Sequence, residues 1–89
     1  MMLPIAGWVA DIVGMVGTLL IVGAYAYLTF ARVVNALAYN LMNLAGALLL
    51  TLSLLVHWNL ASFVLEMVWI AVALAGIVKA VRARPEARE

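Results

Sequence analysis

Three runs of apolar residues, Ile12–Phe30, Leu37–Val56 and Ala61–Val78, fill most of this chain and leave it few ways to fold. The first two hold no charged residue, and the third holds one, Glu66. Each run is about 18 to 20 residues, which at about 1.5 Å per helical residue crosses a hydrocarbon core of about 30 Å. The expected fold class is therefore an all-α membrane protein. It reads as one three-helix transmembrane domain spanning residues 1–89, with helices at about 4–30, 36–56 and 60–84.

Composition agrees with this reading. Hydrophobic residues make up 70% of the 89 and charged residues only 10%, against about a quarter charged in soluble domains. The three spans leave no room for a second domain. With no Cys, disulfides and thiolate chemistry are excluded, and a single His cannot build a zinc site alone. Ala24-Tyr25-Ala26 matches a small-x-small cleavage pattern. Asp11 stands where a signal peptide would carry basic residues, so cleavage is not expected.

Charge asymmetry sets the expected orientation. Arg32 falls in the first turn, and Lys79, Arg82, Arg84 and Arg88 follow the third span; residues 1–11 and the 57–60 turn hold no Lys or Arg. Basic residues in short loops stay in the cytoplasm, so the chain is expected to run N-terminus out and C-terminus in. Trp8 and Trp58 fit an outer aromatic belt, and Tyr27, Phe30 and Tyr39 an inner one. Pro4 suits the first turn of helix 1, Asn35 and Asn59 suit the caps of helices 2 and 3, and Pro85 should end helix 3 by Arg84.

Lipid is as apolar as Leu, so small and polar residues mark the faces where helices meet. On helix 1 the stripe is Asp11, Gly14, Thr18, Ile21 and Tyr25, with Gly17 beside it. On helix 2 it is Asn40, Asn43, Gly46, Ala47, Leu50 and Ser53. On helix 3 it is Ser62, Glu66, Trp69, Ala73 and Gly76. The three stripes are expected to meet on a common axis, with Gly14, Gly17, Gly46, Ala73 and Gly76 as helix-packing positions.

Helical rise puts Asn43 about 9 Å from the inner boundary, Trp69 about 12 Å from the outer one, and Glu66 one turn further out, about 7–8 Å deep. Asn43 and Trp69, with Asn40 and Tyr39 beside them, read either as packing and hydrogen-bonding residues or as a solute-binding site. Glu66 reads either as a hydrogen-bonded packing residue or as a proton or cation site, with Asp11 close enough in depth to approach it. His57 reads as an interfacial turn residue. The basic tail reads as a topology anchor with incidental attraction to anionic lipid, or as a specific lipid or partner site. No nucleophile–base pair and no glycine-rich phosphate loop is present, so neither an enzyme nor a cofactor is expected, and no nucleic-acid partner.

The run Tyr39-x3-Asn43-Leu44-x-Gly46-Ala47, then Ser53-Leu54 and Asn59-x2-Ser62-x3-Glu66-x2-Trp69, resembles an uncharacterised family of small three-helix bacterial membrane proteins. That resemblance implies the bacterial inner membrane as location. More loosely, the layout resembles the SemiSWEET transporters, which implies a homodimer with its substrate between protomers. The Pro-Gln pair of their first helix is missing here, and Asn and Trp stand on exchanged helices. The expected function is a homodimeric minimal transporter or channel for a small polar solute. The alternative is a non-transporting accessory or structural subunit packed against a larger membrane partner.

Overall fold

The computed structural model describes residues 4–87 as three helices joined by short turns: α1 (Gly7–Phe30), α2 (Ala36–Leu54) and α3 (Leu60–Ala87). Arg88, assigned above to the basic tail, lies outside the described residues. All three helices are long and apolar enough to cross a membrane.

The helix ends follow local chemistry. Asn35 caps α2 by accepting from the Ala38 amide at 3.0 Å, and its own N–H donates to the Tyr27 hydroxyl at 2.8 Å. Asn59 caps α3 by accepting from the Ser62 amide at 3.0 Å. Each cap satisfies an amide that the first helical turn leaves without a partner.

Three boundaries differ from expectation. Pro4 precedes α1, which begins at Gly7 behind Ala6, a residue without a capping side chain. The α2 helix ends at Leu54, where Leu55 and Val56 turn back onto Thr51 and Ser53. At the other end α3 continues through Pro85 to Ala87. Proline there removes one amide donor near a helix end, and its bias against helical backbone in Arg84 is outweighed by continuation of the turn.

Contacts between helices are built from small residues. A Cβ on Gly17 would lie 2.7 Å from the Gly46 carbonyl oxygen, and one on Gly46 would lie 2.7 Å from the Gly17 oxygen. The α1 and α2 backbones therefore touch at this level. One turn on, Gly14 receives Ser53, whose Oγ would be 2.8 Å from an added Cβ. On the other side of α2, the Asn40 amide fills the space over Gly76, where a Cβ would come within 2.6 Å of Cγ. The buried apolar residues are correspondingly small: Ala10, Ala24, Ala47, Val56 and Ala73.

The three stripes do not share one axis. The α2 helix lies in the middle, with α1 on one side and α3 on another, and among the described residues α1 and α3 do not pack on each other. Helical geometry accounts for this. At roughly 100° per residue, the α2 positions against α1 (Met42, Gly46, Leu49, Ser53) are centred roughly 110° from those against α3 (Asn40, Asn43). With neighbouring axes about 9 Å apart, that angle holds α1 and α3 about 15 Å from each other.

The buried line on α1 also differs from the expected one. It is Ala10, Gly14, Gly17 and Ala24, while Thr18 and Tyr25 are exposed. The Thr18 hydroxyl donates to the Gly14 carbonyl at 2.9 Å, so it needs no partner on another helix.

Candidate functional site

The expected stripe on α3 does face α2, and two clefts open along that seam. The first, of about 270 Å³, is lined by Tyr39, Asn40 and Asn43 from α2 and by Val68, Trp69, Val72 and Ala73 from α3. The second, of about 260 Å³, is lined by Leu50, Ser53 and Leu54 from α2, His57 from the turn, and Ser62 and Glu66 from α3. Trp69 and Glu66 are three residues apart, about 4.5 Å along the axis, so the clefts are stacked end to end.

A side-chain hydrogen bond stands at the end of the first cleft nearer the second. The Trp69 indole Nε1–H donates to Asn43 Oδ1 at 3.3 Å, and Asn43 Nδ2 donates to the Tyr39 carbonyl at 3.0 Å. Asn43 is the one buried polar residue among the described side chains, at 6% exposed, and it is satisfied on both sides of its amide. Trp69 remains 41% exposed, so its N–H is used while much of its ring still faces the cleft. Asn40 Nδ2 donates to the Ala36 carbonyl at 2.9 Å, which pins its amide over Gly76.

The first cleft contains no charge. An exposed indole face beside an amide and a phenol suits a solute that stacks or lies flat at one edge and hydrogen-bonds at another. The second cleft is different: a half-buried carboxylate with two serines and an imidazole at its rim.

Asp11 and Glu66 are not brought together, because α1 and α3 flank different sides of α2. Asp11 is instead exposed and pairs with His57, Nε2 to Oδ1 at 3.1 Å. The same Nε2 lies 3.3 Å from the Gly7 carbonyl. Both partners are acceptors, so Nε2 carries the hydrogen that serves them. His57 thus ties the start of α1 to the α2–α3 turn and also lines the Glu66 cleft. Sequence reasoning misses this role, although the three-span reading puts residues 1–11 and the 57–60 turn at the same end of the helices.

Among the described residues, no group of three or more His, Cys, Asp or Glu could hold a metal ion.

Fold and site together define a small all-α protein with three helices suited to a membrane and a polar seam along two of them. A family model matches residues 10–84, and the chain belongs to that uncharacterised family. No curated protein and no solved structure matches it. The comparisons give the SemiSWEET likeness no support.

Proposed function

We propose that the protein is a minimal transporter or channel for a small polar solute, working as a two-fold symmetric homodimer in the bacterial inner membrane, N-terminus out. The observation that carries this reading is the Asn43–Trp69 pair: a bonded amide and indole at mid-span, lining an open uncharged cleft directly beside one that holds Glu66. Polar groups deep in an apolar span are costly and are kept where they serve a site. In this reading Asn43, Trp69, Asn40 and Tyr39 bind the solute, and Glu66 binds a proton or cation. The open layer of helices supports pairing, because a second copy laid across the seam would turn two half-open clefts into one enclosed path.

Purified protein in liposomes tests the proposal. Radiolabelled small polar solutes should accumulate in wild-type vesicles, and Trp69→Ala should reduce their uptake at least tenfold while leaving helix content unchanged. Vesicles that move no tested solute at any pH would favour the accessory-subunit reading. That alternative draws support from α3, where Ala73 is the one buried residue among the described side chains, leaving most of the helix free to pack on a larger protein. Orientation has its own test. Single cysteines at the exposed positions Ala6 and Leu60 should react with an impermeant thiol reagent in intact cells, and one at Ala87 should not. The reverse pattern would invert the assigned topology.

A further inference from the structure

We infer that α3 carries a binding site for one anionic phospholipid at the end of the bundle that holds the α1–α2 turn. Leu74, Ala75, Val78, Lys79, Arg82 and Ala83 line a surface groove of about 550 Å³. Leu74, Ala75, Val78 and Arg82 fall on the side of α3 turned from α2, roughly 130° or more around the helix from Ala73 and Gly76, with Lys79 roughly 90° and Ala83 roughly 50° from that line. The groove therefore opens toward lipid rather than toward the seam, and it is separate from the clefts holding Asn43 and Glu66.

Its chemistry is divided along its length. Leu74, Ala75 and Val78 make the deeper part wholly apolar, and Ala75 supplies the floor because its side chain ends at Cβ. Lys79 and Arg82 stand above it, both exposed, one turn apart on one face. Residues at that spacing have Cβ atoms about 5–6 Å apart, close enough for both heads to reach a single phosphate.

Depth fits the same ligand. Asn40 packs on Gly76, so in antiparallel register the start of α2 at Ala36 lies level with Ala80. Lys79 and Arg82 thus sit where the helices leave the apolar layer, at the height of lipid phosphates, and the apolar part of the groove lies at acyl-chain depth. Among the described side chains the one ion pair is Asp11–His57, at the far end of the bundle. A phosphodiester headgroup answers the charge, and an acyl chain in the groove answers the apolar wall. Because both leaflets offer that chemistry, the site stands whichever way the chain is oriented.

Native mass spectrometry of the full chain, released from nanodiscs of phosphatidylcholine with a minor fraction of phosphatidylglycerol, tests the site. Wild-type protein should retain one phosphatidylglycerol per chain in preference to phosphatidylcholine. The double variant Lys79→Gln/Arg82→Gln should lose that adduct about thirtyfold and each single variant about fivefold, while Arg32→Gln keeps it. Ala75→Leu retains both charges but fills the groove, and it should reduce the adduct as much as a single charge removal. Excess glycerol 3-phosphate, which offers the phosphate without a chain, should not displace the lipid. Equal retention by the double variant or by Ala75→Leu would overturn the inference, the latter by showing diffuse attraction with no groove. Displacement by glycerol 3-phosphate would overturn it in favour of a soluble phosphate ligand. Circular dichroism of each variant separates loss of the site from loss of the fold.

Discussion

Adding a single methyl group at Gly46 should loosen the whole α1–α2 crossing. Its new Cβ would stand 2.7 Å from the Gly17 carbonyl oxygen, 2.7 Å from Ile21 Cγ1 and 3.2 Å from Leu20 Cβ. Carbon pairs settle at about 3.5 Å or more, so the Ile21 contact is short by about 0.8 Å, and the backbone oxygen cannot rotate aside as a side chain can. The helices must separate, and every contact from Gly14 to Ala24 weakens with them. Overpacking of this kind costs about 1–3 kcal/mol. Alanine gains at most about 1 kcal/mol from better helix propensity, which offsets part of that cost.

Gly23→Ala is the matched control. Its Cβ would meet only Met42 Cε at 3.6 Å, an ordinary contact with the flexible end of a side chain, so the propensity gain stands alone and the variant should be neutral or up to about 1 kcal/mol more stable. Unfolding in mixed micelles, followed by fluorescence of the three Trp residues, would rank the two variants. Gly17→Ala meets the same crossing from the other side. The double variant Gly17→Ala/Gly46→Ala should therefore cost less than the sum of the singles, since the first substitution has already separated the helices. Equal shifts for Gly46→Ala and Gly23→Ala, or strict additivity at the crossing, would refute the close approach as the source of stability.

Asn43→Leu removes the acceptor for Trp69 Nε1 and should cost about 0.6–1.7 kcal/mol in the same assay, the range for hydrogen bonds between membrane helices; an unchanged stability would mean that the bond contributes nothing. Glu66→Gln keeps size and hydrogen-bonding capacity but not the titratable proton, so it should fold normally and flatten the pH dependence of solute flux in liposomes, while retained pH dependence would end the coupling role and leave solute binding untouched. His57→Ala frees the start of α1 from the α2–α3 turn, and amide exchange over residues 7–11 should speed up about tenfold, a local opening of about 1.4 kcal/mol, with no change at the Gly17–Gly46 crossing.

How much of this was legible in the sequence depends on whether a feature is local. The three apolar helices and the two Asn caps rest on composition and near neighbours, and the structure has all of them, with α2 ending two residues short of Val56. The α3 stripe from Ser62 to Gly76 was legible because its small and polar members repeat at helical spacing on a helix with one partner. On α2 the same rule combined two faces into one stripe: Gly46 and Ser53 meet α1, whereas Asn40 and Asn43 meet α3. Small residues record that something approaches closely but not which helix it is. On α1 the polar groups of Asp11, Thr18 and Tyr25 drew the expected face roughly 60° from the buried one. Thr18 is satisfied within its own helix, and Asp11 by a residue 46 positions away. The bridge made by His57 depends on tertiary approach alone, and no spacing rule contains it.

The central place of α2 bears on how the chain is made. Every helix contact in the described structure joins neighbours in the sequence, since α1 meets α2 and α2 meets α3. During vectorial synthesis the α1–α2 hairpin can therefore close, down to its glycine crossing, before α3 has left the ribosome. The third helix then arrives at a surface already formed and need not part the first two. Short-range pairings of this kind carry little loop-closure entropy and favour rapid assembly. The tie of His57 to Gly7 and Asp11 joins more distant parts of the chain. It can form as soon as the α2–α3 turn has emerged, so it fastens the start of α1 to that turn before α3 is laid against α2.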